Sequence, residues 1–302
     1  MSCFHPRYAF IAGTTENGKK LLHFCTPKTG DFGDVSALKH KYRDSLVAIP
    51  CGKCVGCKLD YSKSWAVRCV LESLYHKESS FLTLTYDEAH CPKTLDKKPL
   101  SDFLKRLRSA HPDISIRFFG CGERGSLNNR PHYHVIIFGY SFPDKEVIQH
   151  QGHQVLYKSK ELSKLWSFGL SSIGEVSLQS CAYVARYTSK KVNGKKDEFI
   201  LMSRMPGIGA QYFADKKDLI YLSDKLYGSF GSSHKARVPR YFDKLAEKEG
   251  IDLSDVKDNR IRRANLYNEL GKYLHSFSDD IPLNQLMDRI ALEKFNLLKR
   301  YV

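Results

Sequence analysis

The alternation of apolar and polar positions divides the chain into a first helix followed by a β-α-β-β-α-β-α succession. Ser62–His76 carries Ala66, Val70 and Leu74 at four-residue spacing with no Gly or Pro, which predicts a helix. Ser80–Tyr86 alternates apolar, β-branched and aromatic residues and predicts a strand. Pro99–Ala110 predicts a helix burying Phe103, Leu104 and Leu107, with Ser101 as its N-cap. Two further strands, Ile114–Cys121 and His132–Phe138, flank a Gly/Asn-rich connection at Gly122–Arg130. Lys160–Ser167 predicts a helix, Leu170–Val176 a fourth strand, and Leu178–Lys191 a helix capped by Ser177. This order implies an α+β fold with a mainly antiparallel sheet flanked by helices. Residues 1–50 read as irregular chain or short strands. From about Tyr241 the pattern is helical, with Ile281–Arg300 as an amphipathic last helix.

Composition narrows the class. The 302 residues carry 48 Lys+Arg against 33 Asp+Glu, a net charge of +15, with 42% hydrophobic residues. That is enough apolar material for a core and too much for a disordered chain. No run of about 18 apolar residues exists, which excludes a helical membrane span, and the N-terminus lacks a signal-peptide stretch. Nine cysteines without an export signal point to reduced thiols or a metal site in a cytoplasm rather than a disulfide framework. The positive charge is concentrated: residues 93–130 carry nine basic and four acidic groups, and 186–240 carry twelve and five. Such patches suit phosphate backbones.

Three constellations could carry chemistry. On a strand, His132 and His134 project to the same face, as a pair of metal ligands or as two surface histidines. A carboxylate would complete a divalent site, and a hairpin would return Glu123 to their side. Tyr183 and Tyr187 share a helix face, with Lys190 following. A phenol becomes a nucleophile when a metal-polarised phosphate and a nearby cation stabilise the transition state; a core helix with snorkelling lysines is the alternative. Cys51-x₂-Cys54-x₂-Cys57 offers three thiolates for a structural metal, with Cys3, Cys25, His5 or His23 as fourth ligand, or else three free thiols. Iron–sulfur ligation fits less well. Cys69, Cys91, Cys121 and Cys181 read as small buried hydrophobes. Aromatic and basic residues from Tyr212 to Tyr241, including Lys235, Arg237 and Arg240, suit DNA stacking and contact or plain core packing.

In order, Phe-Leu-Thr-Leu-Thr-Tyr (81–86), His-Tyr-His followed by four apolar residues (132–138), and Tyr-Val-Ala-Arg-Tyr-Thr-Ser-Lys-Lys (183–191) resemble the three motifs of rolling-circle replication initiators, the HUH endonucleases. The run Pro-Cys-Gly-Lys-Cys-Val-Gly-Cys (50–57) and Arg-Pro-His-Tyr-His (130–134) resemble the gokushovirus branch of the Microviridae. The resemblance spans about residues 50–245. It implies an HUH-like nicking core at 78–195, a Cys-rich region and helix at 1–77, and a basic then helical extension at 196–302. It implies metal ligation (Mg²⁺ or Mn²⁺) by His132, His134 and Glu123, and nucleophilic roles for Tyr183 and Tyr187. Lys190 would orient or neutralise the scissile phosphate, with Lys191 a close substitute, while Thr83–Tyr86 would have a structural or DNA-contact role rather than a chemical one. Arg130, Lys191, Lys235, Arg237 and Arg240 are candidate DNA contacts, and a structural Zn²⁺ is a candidate at Cys51, Cys54 and Cys57.

The implied activity is nicking and rejoining of single-stranded or replicative-form viral DNA at its origin. Host helicase, polymerase and single-strand-binding protein would be partners, in the bacterial cytoplasm and away from membranes. The competing reading is a non-catalytic, basic, zinc-containing regulator that binds nucleic acid. Related relaxases and transposases share the chemistry, but the chain carries no large helicase-like region.

Overall fold

The computed structural model describes residues 3, 5–15, 20–24, 45–125, 129–151, 154–190, 197–230, 233–275, 290 and 292. At 46, 151, 154, 187–190, 229–230, 233–234, 265 and 267–275 only the backbone is described. The chain divides into two compact units, 61–253 and the combination of 1–60 with 254–302.

The larger unit is built on a seven-stranded sheet in which every neighbouring pair is antiparallel. Its strands are β4 (Ser79–Thr85), β5 (Arg117–Arg124), β6 (Pro131–Phe138), β7 (Glu146–Gln151), β8 (Gln154–Lys158), β9 (Ser171–Gly174) and β10 (Phe199–Met202). Their spatial order is β10-β5-β6-β4-β9-β8-β7, so the largely buried β6 lies between β5 and β4. The helices are α1 (Val55–Ser73, of which residues 55–60 belong to the smaller unit), α2 (Lys98–Ala110), α3 (Lys160–Leu165), α4 (Leu178–Lys190), α5 (Ala210–Ser223) and α6 (Arg240–Lys248). An α+β fold with a mainly antiparallel sheet is thus what the chain adopts.

Period-two alternation along the strands sorts the core into two layers. On one face Leu82, Leu84, Tyr133, Val135 and Ile137 pack against Leu100, Phe103, Leu104 and Leu107 of α2 and Leu162 of α3, around Trp166. On the other, Phe119, Cys121, Ile136 and Phe138 receive Ala66 and Cys69 of α1 and Cys181, Val184 and Ala185 of α4. Each large side chain buried in this way contributes about 1.5–3 kcal/mol. A third cluster joins Val67 and Leu71 to Phe213, Ile220, Phe242 and Ala246. There Arg68 lies between the rings of Trp65 and Tyr241, 3.9 Å from each centroid, and donates to the Ile208 carbonyl. A two-stranded ribbon, β11 (Leu226–Phe230) and β12 (Ser233–Ala236), completes the unit.

The smaller unit holds a three-stranded antiparallel sheet, β2-β1-β3, from β1 (Arg7–Thr14), β2 (Lys20–Phe24) and β3 (Leu46–Ile49). It also holds α7 (Ser254–His275), whose Asp258 pairs with Lys20 of β2 at 3.3 Å.

Several boundaries differ from the sequence reading. Helix α1 begins seven residues earlier than expected and ends at Ser73, leaving Leu74 exposed beyond it rather than on a buried face. Helix α2 starts at Lys98 with Lys97 in the cap position and Pro99 in its first turn. Ser101 is not the cap: it lies inside the helix, and its hydroxyl donates to the Lys97 carbonyl. The strand expected from Ile114 begins only at Arg117, and it extends to Arg124, so Gly122 and Glu123 are strand rather than connection. The expected helix at Ile281–Arg300 falls outside the described residues except at 290 and 292.

Candidate active site

The two histidines lie near the start of β6, where the β4 and β5 ladders meet. His132 is cross-strand from Glu123 on one side and Thr85 on the other; His134 is cross-strand from Cys121 and Thr83. A neighbouring antiparallel pair brings side chains on one face within about 5 Å, so the register alone places the Glu123 carboxylate beside both imidazoles. Tyr133 points the opposite way and is fully buried, packing against Trp166 and Phe199. Its hydroxyl lies 3.0 Å from that of Tyr86 and donates to the Asp96 carbonyl at 2.9 Å. Tyr133 therefore anchors β6 while its neighbours face the opposite side of the sheet. Gly122 is required beside Glu123, because a Cβ there would stand 2.5 Å from the Phe199 ring of β10.

Helix α4 supplies the phenol. Ser177 and Ser180 cap its start reciprocally, each accepting the other's backbone N–H (3.2 and 2.8 Å), the box arrangement that satisfies orphan donors. With Cys181, Val184 and Ala185 docked on the sheet, Tyr183 reaches the histidine face. Its hydroxyl donates to Glu123 Oε1 at 2.7 Å and lies 3.3 Å from His134 Nε2. The ring meets those of His134 and Phe81 edge-on, and the Arg186 guanidinium lies 4.9 Å from its centroid. Phe81 stacks parallel on the other ring it touches, His134, at 5.7 Å.

Glu123 Oε1 is 2.9 Å from His132 Nε2 and 3.0 Å from His134 Nε2, and only 3% of the residue is exposed. Burial opposes its charge, yet the bonds from His132 and His134, with Tyr183 adding, hold the carboxyl well below the usual range. Burial, then the Glu123 charge, pushes the Tyr183 phenol up. Burial likewise lowers the Arg186 guanidinium. Each imidazole is fixed from behind: His132 Nδ1 donates to the Arg130 carbonyl at 3.0 Å, and His134 Nδ1 pairs with Thr83 Oγ1 at 3.1 Å. These contacts at Nδ1 fix both rings so that the two Nε2 atoms converge on one point, as the supported imidazoles of metal-binding histidines do. The two Nε2 atoms and the Glu123 oxygen lie within 4.8 Å of one another. These residues fit a divalent cation, with three protein ligands leaving positions open for a substrate.

Of the other candidates, Tyr187 and Lys190 belong to α4, but their side chains, like all of Lys191, fall outside the described part. Arg130 serves the site through its carbonyl, while its guanidinium donates to the Tyr86 carbonyl and lies 3.8 Å from Glu88. Lys235 and Arg237 are exposed on and just after β12, Lys235 beside the Tyr227 ring, and Arg240 is exposed at the start of α6. The sequence reading gave no role to Arg186, and it gave Thr83 a structural or DNA-contact role where the structure sets its hydroxyl against the His134 ring. The signal for Arg186 was its place three residues after Tyr183.

In the smaller unit the sulfurs of Cys51, Cys54 and Cys57 converge with that of Cys3, all within 4.8 Å of one another. Burial works against charge at Cys51, yet the N–H groups of Cys54 and Lys53 bring its thiol down to about 7. Of the alternative fourth partners, Cys25 lies outside the described residues. Cys69, Cys121 and Cys181 are buried as expected, and Cys91 is half-buried.

The profile of the replication-associated protein family named for ORF2 matches residues 79–192, the stretch that holds every residue of the histidine cluster. The chain is 36% identical over 237 residues to replication-associated protein ORF2 of Spiroplasma virus 4, covering 70% of this chain and 73% of that one. It is 28% identical over 312 residues to replication-associated protein VP4 of Bdellovibrio phage phiMH2K (90% and 96%). It is 35% identical over 264 residues to replication-associated protein ORF4 of Chlamydia phage 1 (78% and 64%). No solved structure matches the chain. With its α+β sheet, its His-Tyr-His strand and these relatives, the chain belongs to the replication-associated proteins of this group of phages, the Microviridae replication initiators.

Proposed function

We propose that this protein starts and ends rolling-circle replication of viral DNA by a tyrosine-based nicking and joining reaction. The observation that carries the reading is the Tyr183 hydroxyl, 2.7 Å from Glu123 Oε1 and 3.3 Å from His134 Nε2, a nucleophile seated on a convergent ligand set. A structural histidine pair has no need of a phenol at that point.

In this reading 78–195 is the nicking core, and His132, His134 and Glu123 hold Mg²⁺ or Mn²⁺. The ion, when bound, supplies Lewis-acid polarisation of the scissile phosphate. The Tyr183 phenolic oxygen attacks phosphorus and the P–O3′ bond breaks. The phenol loses its proton, the departing 3′ oxygen gains one, and a 5′-phosphotyrosine forms beside a free 3′-OH primer. Because bond energy is kept in the phosphotyrosine, joining needs no ATP. Tyr187, one turn along the same face, attacks the regenerated origin, and the released 3′-OH resolves the first adduct into a circle. Arg186 and Lys190 offset developing negative charge. Lys191, Arg130, Lys235, Arg237 and Arg240 contribute contacts to the DNA backbone. Host helicase, polymerase and single-strand-binding protein act on the opened duplex in the bacterial cytoplasm.

The test is cleavage of origin-bearing single-stranded and supercoiled DNA, with Mn²⁺ or EDTA, resolved on denaturing gels. A metal-dependent protein–DNA adduct is expected, abolished in Tyr183→Phe/Tyr187→Phe, with Tyr183→Phe the more damaging single change for the first cut. Metal-dependent cutting without an adduct would mean a water nucleophile, and binding without cutting would mean a regulator.

A further inference from the structure

The nicking reading leaves the cysteine cluster unused, and its geometry has its own explanation. In the β1–β3 ladder Arg7 is paired with Ile49. Running four residues back from Arg7 and two forward from Ile49 brings Cys3 and Cys51 to the same end of the sheet. Gly52, at φ +73° with open space where a Cβ would stand, turns the chain after Cys51. Cys54 then precedes α1 and Cys57 lies in its first turn, where the Lys58 N–H donates to the Cys54 carbonyl.

The four sulfurs outline a small polyhedron. Cys51 and Cys57 Sγ are 3.9 Å apart, Cys54 and Cys3 Sγ are 3.9 Å apart, and no pair exceeds 4.8 Å. A disulfide would need about 2.0 Å. A tetrahedron with zinc–sulfur bonds of about 2.3 Å has edges of about 3.8 Å. Backbone N–H groups donate to the sulfurs as they would to thiolates: Cys51 to Cys3 at 3.2 Å, and Cys54 and Lys53 to Cys51 at 3.3 and 3.4 Å. Four soft ligands select zinc over magnesium or manganese.

We propose that Cys3, Cys51, Cys54 and Cys57 bind a structural zinc ion as a closed tetrathiolate. It ties residue 3 to the end of β3 and to the start of α1, and the four thiols release their protons as it binds. The site holds no open position and takes no part in phosphate chemistry, so it stands or falls separately from the nicking reading.

The test uses the full chain carrying His132→Ala, which removes competition from the other ligand set, purified under reducing conditions and dialysed against chelator-free buffer. Metal analysis is expected to find one zinc per chain, and Cys54→Ser or Cys3→Ser in that background to lose it. Should those variants not fold, reconstitution of the parent with Co²⁺ still decides, by thiolate charge-transfer bands and tetrahedral ligand-field bands. A metal-free protein whose four thiols alkylate freely would overturn the proposal. So would iron in place of zinc, or a disulfide between any two of the four.

Discussion

Among the described residues, two clusters of ligand atoms are alike in span and opposite in chemistry. In both, the donor atoms lie within 4.8 Å of one another. One combines two imidazoles and a carboxylate on rigid antiparallel strands, with a phenol leaning over it. The other combines four sulfurs from just beyond two strand ends, the turn after them and the start of α1, with backbone amides at its periphery. In the two readings proposed above, the difference is between an incomplete ligand set beside a nucleophile and a complete one that only holds the chain. An open set can turn over a substrate; a closed one can only hold the chain.

Substitutions should separate the two. The largest effect is expected from Glu123→Gln, which keeps the shape and removes a negative ligand. Metal-dependent cleavage should fall by at least about 10²-fold, with origin binding retained in a filter or mobility assay. Cys54→Ser should instead act on stability, lowering the melting midpoint of the zinc-loaded protein by several degrees (about 2–3 kcal/mol), while cleavage at a permissive temperature persists. Equal loss of cleavage in the two variants would erase the distinction.

A third change probes a carboxylate that serves structure alone. Glu72 is buried, accepts the Gly209 N–H at 2.6 Å and pairs with Arg117 and His76. Burial opposes its charge, but these partners hold its carboxyl below the usual range. Its stabilisation is therefore full at neutral pH and is lost as pH falls through and below the ordinary glutamate range. Glu72→Gln should cost about 3 kcal/mol at pH 7 in urea unfolding, and less in acid, where the parent has lost the same contribution. The smallest effect is expected from Tyr133→Phe, which sits between the two histidines but faces the core. It should cost about 1–2 kcal/mol of stability through the Asp96 and Tyr86 bonds, with little change in cleavage.

The sequence was readable where local periodicity carried the information. Alternation placed His132 and His134 on one face, and the return of Glu123 followed from a hairpin because the two strands are adjacent in sequence. The Ser177 cap and the α4 face were legible for the same reason. What escaped depends on distant pairing. β10 is a four-residue apolar run that only its partner β5 makes a strand, although it covers Gly122 and so shapes the site. In the β7–β8 hairpin, Val147 and Ile148 are adjacent and both exposed, so no alternation marks it. The fourth ligand of the cysteine cluster could be narrowed to Cys3, Cys25, His5 or His23 but not chosen, since the approach of Cys3 rests on a ladder between residues some forty positions apart.

The central claim is that Tyr183 forms a covalent bond to DNA. It is tested most directly by cleaving an origin oligonucleotide with the wild-type protein and Mn²⁺, trapping the product, digesting it with protease and nuclease, and sequencing the modified peptide by mass spectrometry. The account predicts a nucleotide 5′-phosphate on the Tyr183 side chain, absent when EDTA is present. Cleaved DNA with an unmodified Tyr183 peptide, or a first adduct confined to Tyr187, would contradict it.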